Sequence, residues 1–158
     1  MLVLESGRFA IGWGNAAALM GAEVEVLKGD WRRAVRPHEV EERLRRDKEH
    51  TIKAVVVVQV DTASGVQNDI EAIGKAIKAA GHPALFMVDA VASLGCMPFE
   101  MDAWGIDVCY SGTQKCLSVP PGLAPVTFSP KAMDRLNARK TKVQSWYLDV
   151  TLLQKYWS

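Results

Sequence analysis

Ile52-Lys53-Ala54-Val55-Val56-Val57-Val58 is the stretch that sets the fold. A half-exposed strand alternates apolar and polar residues. A nearly continuous β-branched run suits a parallel strand buried on both faces. Outward from it, strand-like and helix-like segments take turns. Upstream, residues 2–5 read as a strand, 8–20 as a helix rich in Ala and Gly ending near Gly21, and 23–27 as an alternating strand near an edge. Pro37 opens a helix with Val40 and Leu44 on one face and a solvated set, Glu41, Glu42, Arg43, Arg45 and Arg46, around it. Downstream, a helix starts at Asn68 with Glu71 as its capping partner, runs to about Ala80 and stops at Gly81 and Pro83. Residues 84–88, 106–111 and 123–128 are further strands, and Ser129-Pro130 caps and opens a last helix. This alternation predicts an α/β fold, a mostly parallel sheet with helices on both faces. Ligands of such sheets sit beyond the carboxyl ends of the strands. Asp61-Thr62, Asp89 and Lys115 therefore fall along one edge.

Composition narrows the function classes. The 158 residues carry a net charge of +1, which provides no global field for nucleic acid or an acidic membrane. No stretch approaches the roughly 20 apolar residues of a membrane span. Met1-Leu2-Val3-Leu4-Glu5 lacks the basic flank and cleavage site of a signal peptide, so a cytoplasmic protein is expected. Cys96, Cys109 and Cys116 are an odd count without metal-ligand spacing, expected as buried free thiols with no metal. His38, His50 and His82 have no carboxylate or Cys partner at short spacing and read as exposed or structural. Gly12, Gly14 and Ala17 spell a GxGxxA pattern. It lacks a strand immediately before it and an acid about 20 residues on, so the glycines read as helix–sheet packing. Trp146, Tyr147, Leu148, Leu152, Leu153, Tyr156 and Trp157 are too apolar for a free terminus. They suggest a piece of a longer protein.

The chemistry gathers at Lys115. It closes the run Tyr110-Ser111-Gly112-Thr113-Gln114-Lys115 after a predicted strand, and the turn Pro120-Pro121-Gly122 follows. Ala84-Leu85-Phe86-Met87-Val88 delivers a lone carboxylate, Asp89. Small residues beside Lys115 let a bulky group approach the backbone. A lysine and an aspartate at neighbouring strand ends suit pyridoxal phosphate, which needs an amine for its aldehyde and a carboxylate for its ring nitrogen.

Ile106-Asp107-Val108-Cys109-Tyr110-Ser111-Gly112-Thr113-Gln114-Lys115, with Gly122 and Ala124 after it, resembles the cofactor-lysine signature of the class V aminotransferases. The whole chain is similar to the serine–glyoxylate and alanine–glyoxylate members. Supporting stretches are Glu5-Ser6-Gly7-Arg8-Phe9, Gly29-Asp30-Trp31-Arg32-Arg33, His82 to Asp89 and Met101 to Asp107. The resemblance implies the large domain of a fold-type I pyridoxal phosphate enzyme. Residues 1–158 would form part of it, without the family's N-terminal segment and C-terminal small domain.

It further implies that Lys115 is the catalytic, Schiff-base lysine and that Asp89 partners the pyridinium nitrogen. Gln114 would donate to the phosphate, Phe9 stack on the ring, Val91 pack its opposite face and Thr62 bond near O3′. A small amino acid such as serine or alanine would pass its amino group to glyoxylate or pyruvate, in a homodimer. Gln59 and Asp61 depart from the His and Glu that the family commonly carries, which points to an altered hydrogen-bond network. The rival readings are an inactive truncated domain of this fold and a class V lyase or cysteine desulfurase. Those enzymes usually carry His where this chain has Gln114.

Overall fold

The computed structural model describes residues 1–156; Trp157, expected in the apolar terminal stretch, lies outside the described residues with Ser158. The strands are β1 (Leu2–Leu4), β2 (Glu25–Leu27), β3 (Ala54–Val58), β4 (Val60–Asp61), β5 (Val66–Gln67), β6 (Leu85–Asp89), β7 (Val108–Tyr110) and β8 (Val126–Phe128). The α-helices are α1 (Arg8–Leu19), α2 (Pro37–Arg46), α3 (Ile70–Ala79), α4 (Pro130–Asn137) and α5 (Val150–Gln154). Six strands form one sheet in the order β2-β1-β3-β6-β7-β8, and β4 and β5 make a separate hairpin. All pairings in the large sheet are parallel except β7 with β8.

The valine run forms β3, every residue of it buried, between β1 and β6. Its alternate side chains fill two cores. Val55 and Val57 join Leu2, Leu4, Phe86 and Val88 beneath α2 and α3, which contribute Val40, Leu44, Ile70 and Ile73. Val56 and Val58 join Val3 and Ala10 beneath α1. Each such aliphatic side chain contributes about 1.5–3 kcal/mol on burial. Gly14 of the GxGxxA pattern packs against the sheet as expected, where a Cβ would sit 3.0 Å from Val3 Cγ2, whereas Gly12 is exposed with nothing within 4 Å of such a Cβ.

Some expectations are corrected. The strand at the 123–128 position is antiparallel and short, because the chain turns straight back after the Lys115 loop instead of crossing over through a helix. Asn68 does not cap α3. It is buried, accepting from Val35 N at 2.8 Å and donating to Val58 O at 2.7 Å. Asp69 is the cap, accepting from Ala72 N at 2.9 Å. Of the three cysteines expected to be buried, only Cys109 is; Cys96 is exposed and Cys116 half-buried. No helix among the described residues is long and apolar enough to cross a membrane.

The edge of the sheet opposite the strand C-termini is pinned by a buried pair. Asp47 accepts from Ile52 N at 2.7 Å, from Thr51 N at 3.0 Å and Thr51 Oγ1 at 2.8 Å, and meets His82 Nε2 at 3.1 Å. Burial opposes its charge, but these bonds outweigh that and hold its carboxyl below the ordinary range. His82 Nδ1 accepts from Ala84 N at 3.2 Å, so its proton belongs on Nε2, toward Asp47. Burial, ahead of the opposing Asp47 bond, pushes the imidazole below its usual pKa of 6.5.

The folded chain thus binds this proton less readily than the unfolded one. Stability is expected to be flat above pH 6.5 and to fall as pH drops below it. Urea midpoints measured from pH 8 to 5 check this. A flat profile, or one matching a His82→Gln variant, would refute it.

Candidate functional site

The parallel register places Val58, Asp89 and Tyr110 side by side at the carboxyl ends of β3, β6 and β7. They stand on the α1 face of the sheet, in register two residues beyond Val56, Met87 and Val108. Asp89 Oδ2 accepts from the Tyr110 hydroxyl at 2.6 Å, and Oδ1 accepts from Val91 N at 2.8 Å. Burial pushes the Asp89 carboxyl above its ordinary range, with the two hydrogen bonds pulling it back and the charge of Asp61 adding to the rise. Burial and the Asp89 bond push the Tyr110 phenol far up, so it stays a protonated donor. Its ring meets Trp13 edge-to-face at 5.1 Å. The result is a buried carboxylate held by two neutral donors, with no salt bridge among the described residues.

Helix α1 brings the aromatics. Its N-cap is Gly7, which has no side chain to offer the first amides. Asp61, on β4, supplies the cap from elsewhere in the chain: Oδ2 accepts from Phe9 N at 3.0 Å and Ala10 N at 3.1 Å, and Oδ1 from Ala63 N at 3.1 Å. Any side chain at position 7 would collide with this carboxylate. The helix so anchored projects Phe9 and Trp13 from one face. With Asp89, Tyr110, Arg8 and Trp31 they line a cavity of about 700 Å³. Phe9 is half exposed within it.

The expected site residues divide. The cavity brings Phe9 and Asp89 together, and Val91 adjoins through the hydrogen bond its backbone N–H donates to Asp89. Thr62, Gln114 and Lys115 are exposed and stand outside its lining, on turns at the same end of the sheet. Lys115 is carried by a laced loop. Ser111 Oγ donates to Ala90 O at 3.2 Å, Thr113 Oγ1 to Pro120 O at 2.8 Å, and Lys115 N to Gly112 O at 3.2 Å. Gln114 folds back so closely that a Cβ at Gly112 would lie 3.2 Å from its Oε1.

Sequence reading missed several contributors. Tyr110 was legible only as part of a strand. Trp31 has φ 60°, a left-handed backbone unusual for a bulky residue, and its indole N–H donates to buried Glu5 at 2.9 Å. Gly29 N donates to the other Glu5 oxygen at 3.1 Å. Gln59, one of the departures from the family pattern, is buried and functions as a brace: its Oε1 accepts from Ser93 Oγ at 2.6 Å. For Glu5 and Gln59 the signal was a polar residue just past a buried strand.

Ser6, in the same layer, has the one buried side-chain oxygen without a hydrogen bond among the described residues. Ser6→Ala is therefore expected to raise stability, by up to about 1–2 kcal/mol, since an unsatisfied buried hydroxyl carries a desolvation penalty. Thermal melts check this, and a lowered Tm would argue against it.

Comparison with known proteins agrees with this architecture. The chain is 44% identical over 133 residues to a serine–glyoxylate aminotransferase of Methylorubrum extorquens, covering 84% of this chain and 33% of that protein. It superposes on the crystal structure of an alanine–glyoxylate aminotransferase from Nostoc sp. with a TM-score of 0.90 and 35% identity, covering 99% of this chain and 40% of that one. A ureidoglycine–glyoxylate aminotransferase from Bacillus subtilis superposes with a TM-score of 0.91 and 36% identity, covering 99% and 39%. The chain thus spans between a third and two-fifths of the length of these relatives. The sheet and its helices are those of fold-type I pyridoxal phosphate aminotransferases. The model describing class-V aminotransferases matches residues 2–156, and this chain belongs to that family.

Proposed function

We propose that this chain forms the lysine-bearing half of a pyridoxal phosphate-dependent aminotransferase site. The observation that carries the reading is the cavity that Phe9 and the buried carboxylate of Asp89 both line. An aromatic ring bearing a protonated nitrogen fits that pair. It would stack on Phe9 and supply the cation that Asp89 lacks. When bound, pyridoxal phosphate supplies an electron sink for the carbanion formed at a substrate's Cα.

The chain's own residues do the rest. Lys115 would hold the cofactor through Nζ and would move the proton at substrate Cα. Asp89 keeps the ring nitrogen protonated, and Tyr110, as a neutral donor, fixes the orientation of that carboxylate. Val91 would cover the ring face opposite Phe9, Thr62 would bond near O3′, and Gln114 would donate to the phosphate. Asp61 acts through α1 by holding the start of the helix that carries Phe9.

For the whole protein the substrates are a small amino acid such as serine or alanine and a 2-oxo acid. Glyoxylate recurs in the names of the three relatives above, while their amino donors differ. Glyoxylate is therefore the better supported acceptor. The working unit would be a homodimer.

The test is to add pyridoxal phosphate to the purified chain, reduce with borohydride and map the labelled lysine. Label concentrated on Lys115 is expected. Label spread over other exposed lysines such as Lys28, Lys53 and Lys78 in proportion to their exposure would overturn the assignment.

A further inference from the structure

Two thiols flank the lysine turn in a way the aminotransferase reading does not use. After β6 the chain makes a tight turn, with Cys96 N and Met97 N donating to Ser93 O at 2.9 and 3.1 Å. After β7 it makes another, where Ser118 N donates to Lys115 O at 3.0 Å. The two turns touch. Cys96 Sγ lies 3.9 Å from Cys116 O, and a Cβ at Gly95 would lie 3.5 Å from Leu117 Cδ2. The neighbouring Cys96 thiol raises the Cys116 pKa while nearby Lys115 lowers it. Cys96 is exposed and Cys116 half-buried, so a small reagent can reach the pair. Cys109, by contrast, is buried, and burial pushes its thiol up to about 11, which leaves it inert.

We propose that Cys96 and Cys116 form a dithiol site that closes reversibly to an intramolecular disulfide and thereby ties the Lys115 turn to the turn that follows Asp89. The oxidant is a low-molecular-weight disulfide. One protein thiolate attacks it, forming a mixed disulfide and releasing one thiol. The second protein thiolate then displaces the other half. One protein S–S bond forms, the small disulfide is reduced to two thiols, and the two protein thiol protons end on those thiols.

An S–S bond of about 2.05 Å is shorter than any thiol–thiol contact, so closure draws Cys116 toward Cys96. The peptide joining Cys116 to Lys115 moves with it. Ser118, at the far end of the turn, already has φ 56°, which leaves little backbone freedom to absorb the shift. Closure therefore changes where Nζ of Lys115 is held. That consequence rests on the cofactor assignment above, whereas the bond itself does not.

The experiment incubates the purified chain with oxidised glutathione, alkylates free thiols and maps peptides without reduction. A peptide pair joined through Cys96 and Cys116 is expected, released by dithiothreitol and absent from Cys96→Ser. Separate glutathione adducts on each thiol with no joined pair would overturn the site. Oxidised and reduced chains are then treated with pyridoxal phosphate and borohydride. Labelling of Lys115 is expected to fall several-fold on oxidation in the parent chain and to stay constant in Cys96→Ser. A joined pair with unchanged labelling would overturn the link to Lys115. Absence of Lys115 labelling even in the reduced chain would instead count against the cofactor assignment, with the peptide map still deciding the disulfide.

Discussion

Asp89→Asn is expected to weaken pyridoxal phosphate binding while making the cofactor-free chain more stable. On the proposed assignment, the loss comes from removing a charge-assisted hydrogen bond to the ring nitrogen. At about 1.5–3 kcal/mol, that corresponds to a roughly tenfold to hundredfold rise in Kd. The gain arises because the wild-type carboxylate is buried beside neutral donors and is repelled by Asp61, so its pKa lies above the ordinary value.

A carboxyl with a raised folded pKa makes the native state bind more protons than the unfolded one. Stability then falls as pH rises through 3.8 toward the folded value and is level beyond it. Asparagine removes that penalty. Its carbonyl accepts from Val91 N, and its amide donates to the Tyr110 oxygen, so the local geometry survives. The stability gap between variant and parent should therefore open with rising pH and close in acid. Urea titrations at pH 7 and pH 4, with cofactor titration by absorbance, separate the two effects. A variant less stable than its parent at pH 7 would mean that Asp89 is held by an attraction not described above.

Asp61→Ala carries the largest expected stability loss. The side chain is fully buried and accepts from three backbone amides, two of them at the start of α1. Its charge also lies at the positive end of the helix dipole. Cap removals reach about 2 kcal/mol, and orphaned buried donors cost about 1–3 kcal/mol each. A loss of about 3 kcal/mol is therefore expected, lowering Tm by roughly 6–12 °C for a domain of this size. Asp61→Asn should fall between, because its amide must point one N–H toward either Ala63 N or the helix amides. If Asp61→Ala melted within a degree or two of the parent, the cap would be supplied by solvent. Phe9 would then depend on something other than Asp61 for its placement.

Sequence legibility followed the range of the interaction. The β3 run declared its double burial because seven consecutive side chains, all but one apolar, leave a single arrangement. Val40 and Leu44 on α2 and the Ser129 cap of α4 were readable for the same reason, since their partners lie within one turn. The placement of Asp89 and of the Lys115 turn at one end of the sheet was readable because strand ends bring such residues to one edge. What escaped is non-local. Asp61 caps a helix that starts 53 residues earlier, Asp47 meets a histidine 35 residues later, and Glu5 holds an indole 26 residues away. No spacing rule connects such pairs until the sheet has brought them together. The β4–β5 hairpin escaped because each strand has two residues, too few to express a period. Cysteine exposure was misread because residue type predicts average burial, and these thiols sit on tight turns rather than on strands.

The strand order β2-β1-β3 has a consequence for synthesis. Both neighbours of β1 lie later in the chain, and the carboxylate that completes α1 comes later still. The first amides of α1 therefore lack their Asp61 cap until residue 61 has left the ribosome. Translation speed through residues 28 to 60, which span the wait, then governs how long those amides stay uncapped and α1 stays available to wrong partners. Slow codons placed there should lower the yield of folded chain, and placed after residue 61 they should not.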